Sequence, residues 1–231
     1  MSPIIRPVDK RKPARYPWII ILFSLLALMM MLAYSQLDER SATLWLNFWG
    51  VVPADLLGAV NSSFKAWSGG DFAGLFGALF AHASWLHLIG NLAYLWVFGI
   101  SVERKIGHGY FLMAFLLLGA LANLLMALQT PDVGQPVIGA SGAVSAVIGM
   151  YLGLFPNGRI GLWLPLGLYL QFARIPALLV IGSWFTLQLI YSVFGPVSGA
   201  VAWWTHVAGF LAGLLATLML RLFLRSDRHH R

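Results

Sequence analysis

The sequence has no cysteine and few charged residues. The lack of cysteine excludes disulfides, thiolate metal sites and a cysteine nucleophile. Only 10% of the residues are charged, whereas 59% are hydrophobic and the mean hydropathy is +0.79. These values lie far from those of a soluble globular domain. The 231 residues fit one domain, and their composition predicts a protein that crosses a membrane several times.

The apolar runs predict an all-α polytopic fold with six transmembrane helices. A helix needs about 20 apolar residues to cross the hydrocarbon core. The predicted spans are 17–34, 82–101, 109–128, 139–155, 175–194 and 200–222. The first run is long and has no persuasive small-residue cleavage site behind it, so we expect it to be retained as a helix.

The segments between and around the spans differ in composition. Residues 1–16 form a basic arm, residues 17–222 the membrane domain, and residues 223–231 a basic tail. The segment 36–80 mixes aromatic and polar residues, which predicts a long loop lying in the membrane interface. The segment 156–173 is apolar but interrupted by proline and glycine, so we interpret it as a partly embedded connection.

The basic residues are distributed unevenly across the predicted membrane. The net charge of +7 would suit nucleic acid, but the charges flank the apolar spans and therefore indicate topology. With both termini cytoplasmic, 13 of the 15 lysines and arginines fall on the inner side, and only Arg40 and Lys65 fall outside. We therefore predict cytoplasmic termini and no nucleic-acid partner.

Ionisable residues inside membrane spans are rare and usually functional, and the residues singled out here are His87, Asn91 and His206, alongside Ser141. Counted from the inner ends of their spans, Ser141 and His206 both lie about 22 Å above the inner boundary. His87 lies at about 24 Å and Asn91 at about 18 Å, one helical turn apart and hence on one face. The four residues therefore share one layer of the membrane, below its outer surface.

Ser141 stands between glycines where a polar loop becomes an apolar helix. A helix start offers free N–H groups and a positive dipole end, which suit a serine nucleophile and its oxyanion. Serine needs a base, and a neutral imidazole at His206 can accept its proton. The Ser141 N–H, His87 and Asn91 are the candidate oxyanion donors. No carboxylate lies at a matching depth, so we expect a Ser–His dyad.

Small residues recur at helical spacing in the fourth and sixth spans. Gly209 and Gly213 repeat every four residues, as do small residues from Ser141 to Gly153. Facing small residues let membrane helices approach closely, and a bond from His206 to Ser141 requires that approach. The alternative is that these stripes serve packing alone.

Two other kinds of site fit the sequence less well. His87 and His206 could ligate a metal, but no carboxylate or cysteine completes a set, so we expect neither a metal nor another cofactor. A small transporter or proton conduit would require carboxylates deep in the spans and often paired repeats, and the sequence has neither.

The motifs together resemble the rhomboid family of intramembrane serine proteases, in its bacterial six-helix form. The resemblance rests on His82–Asn91, on Gly139-Ala140-Ser141-Gly142, and on His206-Val207-Ala208-Gly209 with Gly213. It implies that Ser141 is the nucleophile and His206 the base. The remaining implied roles fall to His87, Asn91 and Gly139 at the oxyanion site, to His82, Gly142, Gly209 and Gly213 in support, and to Glu103 and Arg104 as a structural pair.

The resemblance also implies substrates, location and a rival. Members of the family cleave transmembrane segments of other membrane proteins, so the expected partners are such proteins and the lipid bilayer. The compact layout favours a bacterial cytoplasmic membrane. A catalytically inactive relative that binds and escorts membrane clients is the alternative.

Two positions depart from the family pattern. A Trp-Arg pair is common in the first long loop, where this chain has Ala73 and Gly74. Some members place an aromatic ring one turn after the nucleophile, stacked on the base, where this chain has Ser145. We therefore expect the orientation of His206 to come from another residue.

Overall fold

The computed structural model describes residues 16–61, 71–166, 169–194 and 197–229. Most of the arm 1–16, the middle of the interfacial loop and the last two residues lie outside this part. The chain is mostly helical, with ten α-helices and one π-helical turn in the described residues. They are α1 (Trp18–Tyr34), α2 (Glu39–Trp49), α3 (Pro53–Asn61), α4 (Asp71–Gly77), α5 (Trp85–Tyr94), the π turn (Leu95–Gly99), α6 (Ile100–Ile106), α7 (His108–Gln129), α8 (Ser141–Leu154), α9 (Ala177–Phe194) and α10 (Val197–His229).

The predicted second span is displaced in the structure. The helix begins at Trp85 and not at residue 82, because Ser84 is its N-cap and accepts a hydrogen bond from the His87 N–H. It then continues through the π turn and α6 to Ile106, beyond the predicted end at residue 101. His82 therefore precedes the helix.

Within the described residues of the predicted interfacial loop there are three helices, α2 to α4. Asp38 caps α2 by accepting the Ser41 N–H at 2.9 Å, and the hydrogen bonds from Ser41 lower the pKa of the Asp38 carboxyl. The backbone turns back sharply, so that a Cβ placed on Gly74 would overlap the carbonyl oxygen of Gly50. Aromatic and polar residues in this segment thus form short surface helices.

The connection between α8 and α9 corrects the prediction of a purely helical fold. It is an antiparallel hairpin of β1 (Arg159–Leu166) and β2 (Tyr169–Pro176), with Arg159 opposite Pro176 and Leu166 opposite Tyr169. Every second residue of a strand faces the same side, and proline and glycine at strand ends or edges are compatible with such a hairpin. The apolar segment 156–173, interrupted by proline and glycine, thus contains most of this hairpin.

Helices α8 and α10 form the tightest pairing in the fold. A Cβ on Gly209 would overlap the carbonyl oxygen of Gly142, and one on Gly213 would overlap that of Ala146. Since contacts advance in the same direction along both chains, the helices run parallel. We call this backbone contact, formed by Gly142, Ala146, Gly209 and Gly213, the glycine seam.

The main hydrophobic core surrounds α8. Its buried side chains come from the helices around it, and the largest fully buried ones include Phe111, Phe115, Ile20, Leu79 and Ile148. A second cluster packs the short helices of the first loop against the end of α7, through Leu56, Leu75 and Met126. The core thus holds α8 at the centre of the molecule.

Three described helices are long and apolar enough to cross a membrane: Trp85–Ile106, His108–Gln129 and Trp203–Arg221. Three further apolar helices are shorter, namely Trp18–Tyr34, Ser141–Leu154 and Ala177–Tyr191. The chain is a multi-pass membrane protein.

Candidate functional site

Ser141 is the first residue of α8, directly after a glycine that only an unusual backbone conformation accommodates. Gly139 has φ of +119°, in a region that residues with a Cβ rarely adopt. Its N–H donates to the carbonyl of Ala78 at 2.8 Å, which fastens the approach to the helix. The turn leaves the Ser141 hydroxyl at the helix start, where the first N–H groups have no partner within the helix.

His87 and Asn91 come to this turn from α5. A Cβ built on Gly139 would lie 2.6 Å from Cε1 and 2.7 Å from Nε2 of His87, and 3.6 Å from Nδ2 of Asn91. Both side chains therefore lie directly against Gly139, two residues before Ser141. That these residues share one layer of the membrane with Ser141 and His206 stays a prediction.

His82 orients Asn91. The buried His82 ring lies within 3.1 Å of the Phe80 carbonyl through Nδ1 and within 3.0 Å of the Asn91 amide nitrogen through Nε2. With Nδ1–H donating to the carbonyl, Nε2 accepts one amide hydrogen of Asn91. The second amide hydrogen of Asn91 is left for another acceptor near Gly139.

His206 lies on α10, which packs against the start of α8. Gly209, one turn after His206, sits on Gly142, the residue after Ser141. In the described part of the chain no hydrogen bond joins the Ser141 hydroxyl to the His206 ring. A hydrogen bond between Ser141 and His206 therefore stays a prediction.

The other side of the His206 ring is occupied by α9. Nδ1 of His206 lies 2.7 Å from Oε1 of Gln188, and the His206 ring centroid lies 6.4 Å from that of Trp184, both on α9. Trp203, on α10 itself, has its ring centroid 5.8 Å from that of His206. Sequence reasoning missed Gln188. Its signal was a single amide in the apolar run of α9.

The supporting residues occupy structural positions. Gly142 packs against Thr205 of α10 and Ala122 of α7, and Gly213 belongs to the glycine seam. The buried Glu103 carboxylate accepts the N–H groups of Ile19 and Ile20 at 3.0 and 3.2 Å and also contacts Nδ1 of His108. Arg104 lies next to it with an exposed side chain.

Both departures from the family pattern have a local explanation. A side chain at Gly74 would overlap Gly50, so an arginine does not fit this backbone. The nearby loop is held instead by the buried Asn123 amide, which donates to the Leu75 carbonyl at 3.0 Å. Ser145 donates to the Ser141 carbonyl at 2.7 Å and lies close beneath Gly209, where an aromatic ring would separate α8 from α10.

The site contains no set of ligands for a metal. Among the residues that the structure describes, no three histidine, aspartate or glutamate side chains are grouped as a metal would require. The chemistry available here is that of a hydroxyl, imidazoles and amides.

The sequence is similar to those of known proteins. The Rhomboid domain family model matches residues 69–223. Rhomboid protein 1, mitochondrial, of Saccharomyces cerevisiae is 28% identical over 152 residues, covering 61% of this chain and 40% of that protein. Rhomboid protease GlpG of Klebsiella pneumoniae (strain 342) is 27% identical over 200 residues, covering 86% of this chain and 60% of that protein.

A shorter match extends the comparison to animals. Presenilin-associated rhomboid-like protein, mitochondrial, of Homo sapiens is 29% identical over 85 residues, 36% of this chain and 22% of that protein. The chain thus spans at most 60% of the length of these three relatives. The family match covers most of the chain, including the helices that carry Ser141, His206, His87 and Asn91, and the chain belongs to the rhomboid family.

Proposed function

We propose that this chain is an intramembrane serine protease that hydrolyses peptide bonds in or near transmembrane segments of other membrane proteins. The observation that carries the proposal is the convergence of α5, α8 and α10 at the turn that leads into Ser141. Gly139 lies against His87 and Asn91, while Gly142 lies against Gly209. A relative named as a protease aligns with 86% of the chain.

The chemical steps are those of acyl transfer. The Ser141 hydroxyl attacks the scissile carbonyl carbon while its proton passes to Nε2 of His206, giving a tetrahedral intermediate. The oxyanion receives hydrogen bonds from the Ser141 N–H, the free amide hydrogen of Asn91 and His87. His206 then gives the proton to the leaving amine, and water hydrolyses the acyl-enzyme by the same route. No cofactor is required.

The position of Ser141 suits a reaction that needs water. It lies at the end of α8 that joins the polar loop 129–136, so water can reach it from the side of that loop. We place this side outside a bacterial cytoplasmic membrane, with six spans, both termini cytoplasmic and a membrane domain over 17–222. The parallel course of α8 and α10, separated by one intervening helix, suits this arrangement.

A fluorescent fluorophosphonate tests the proposal because it labels only an activated serine. We expect labelling of the purified native protein in detergent and its loss in both Ser141→Ala and His206→Ala, with little change in melting temperature for Ser141→Ala. The matched control is Ser145→Ala, one turn further along α8, which should still be labelled.

Two results would oppose the proposal. Labelling that survives in Ser141→Ala would exclude this serine as the nucleophile. A folded native protein that is not labelled would favour an inactive relative that binds membrane clients, and co-purification of such clients would then be the next measurement.

A further inference from the structure

Gln188 is a buried polar side chain in an otherwise apolar stretch of α9. Its side chain is only 6% exposed, and Oε1 lies 2.7 Å from Nδ1 of His206. Burying an amide without a partner is costly, whereas a hydrogen-bonded amide is tolerated. His206 supplies the partner, so the two residues satisfy each other across the contact of α9 with α10.

The polarity of this bond determines which ring nitrogen carries the proton. An amide oxygen can only accept, so Nδ1 of His206 must hold a hydrogen. In the neutral ring, Nε2 is then unprotonated and can act as a base. The bond also persists in the imidazolium formed during the reaction, because Nδ1 remains a donor in both protonation states.

The remaining neighbours of the ring do not perform this task. Trp184 and Trp203 flank His206 at 6.4 and 5.8 Å between centroids, and they restrict the ring without accepting its proton. Ser145, at the position where some relatives carry a stacking ring, uses its hydroxyl on the Ser141 carbonyl. Among the described residues, Gln188 alone is hydrogen-bonded to the His206 ring.

We propose that Gln188 is a positioning residue that selects the Nδ1–H tautomer of His206 and fixes the direction of its Nε2. The inference rests on the proposed function for its catalytic meaning. Ser141, His206 and Gln188 then form a triad whose third member is uncharged and comes from a different helix. An amide suits this depth, because an ionised carboxylate would be far more costly to bury in the membrane.

Nitrogen-15 NMR of histidine-labelled protein in lipid bilayers measures the tautomer without reference to activity. The His206 signals are identified by their loss in His206→Ala. We expect a neutral ring with hydrogen on Nδ1 in the native protein and a mixed or Nε2–H ring in Gln188→Met, which keeps the length of the side chain but removes the acceptor. If the neutral His206 ring of the native protein carries its hydrogen on Nε2, that measurement alone overturns the proposal.

Labelling rates connect the tautomer to catalysis. We expect fluorophosphonate labelling to slow about 10- to 100-fold in Gln188→Met, short of the full worth of a general base. Gln188→Glu keeps an acceptor oxygen when its carboxyl group is protonated, as burial favours, and it should therefore be labelled faster than Gln188→Met. The control Ser183→Ala removes a hydroxyl bonded to the Val180 carbonyl at 3.0 Å in the same helix, and it should change neither measurement.

The two proposals fail in different ways. Equal labelling rates and an unchanged tautomer in Gln188→Met would exclude Gln188 as a positioning residue. An Nδ1–H ring that depends on Gln188, in a native protein that is never labelled, would instead exclude the protease function and leave the tautomer assignment intact.

Discussion

At the residue scale, Gly139 is the position where backbone conformation and the candidate site meet. Its φ of +119° excludes most side chains, and its Cα faces the His87 ring. A side chain at Gly139 would therefore both strain the backbone and displace His87. Gly107, the other described glycine with a positive φ, allows the two effects to be separated.

We expect Gly139→Ala to abolish fluorophosphonate labelling and to lower the free energy of unfolding by about 1–3 kcal/mol, because the methyl group displaces His87 and the backbone is strained. Gly107→Ala is the matched control. Gly107 has φ of +90° but nothing within 4 Å of its Cβ position. The Gly107→Ala protein should be less stable than the native protein but should still be labelled by the fluorophosphonate. Native labelling in Gly139→Ala would show that the oxyanion site does not require this turn.

The sequence singled out the candidate catalytic residues more readily than the residues that contact them. Ser141, His206, His87 and Asn91 stood out because polar groups are rare in apolar spans. Gln188 belonged to the same class but had no motif around it, and the partner of an amide cannot be inferred without knowing which helix faces it. His82 was expected to support the site, but its bond to Asn91 emerged only from the structure.

At the element scale, the predicted spans correspond to helices with ends displaced by a few residues. The second helix starts late because Ser84 caps it, and the tail remains helical to His229 because its charged residues are compatible with a helix. The hairpin 159–176 was not predicted, since its proline and glycine residues obscured the alternation of strands. The hydropathy pattern locates the apolar segments but does not determine whether their backbone hydrogen bonds are those of a helix or of a hairpin.

The contact of α8 with α10 should be intolerant of any added side chain. We expect Gly209→Leu to lower the free energy of unfolding by about 3 kcal/mol or more and to remove labelling, because the side chain forces two backbones apart. Gly182→Leu is the control, since nothing lies within 4 Å of the Cβ position of Gly182 in α9. The measurements are thermal unfolding in detergent and fluorophosphonate labelling.

An unchanged rate of labelling in Gly209→Leu would mean that His206 does not depend on this contact. Loss of labelling in both glycine variants would point instead to a general effect of leucine on the membrane domain.

At the scale of the whole molecule, the candidate site draws its residues from four different helices. Positions 87, 141, 188 and 206 lie on α5, α8, α9 and α10, so no pair of neighbouring helices contains the complete set. The proposed activity therefore requires that every predicted span be inserted in the correct direction.

The absence of cysteine makes this topology directly measurable. We expect Asp132→Cys, in the loop before α8, to react with a membrane-impermeant maleimide on intact cells, because this loop is predicted to face outward. Asn157→Cys, exposed at the opposite end of α8, should react only after the cells are opened. The unmodified chain supplies a background without thiols. The reverse pattern would invert the proposed orientation.

The glycine seam also bears on whether α10 can slide along α8. Small residues repeat every four positions on both helices, so α10 displaced by one turn, about 5.4 Å, would again set glycine against carbonyl. The seam fixes the distance between the helices, and their register along the axes also depends on contacts outside it, such as that of Thr217 with Gly153. Near the far end of α8, Nη1 of Arg221 donates to the Gly153 carbonyl at 2.8 Å, a bond that such a displacement would break. An arginine well removed from Ser141 thereby selects which turn of α10 stands beside it.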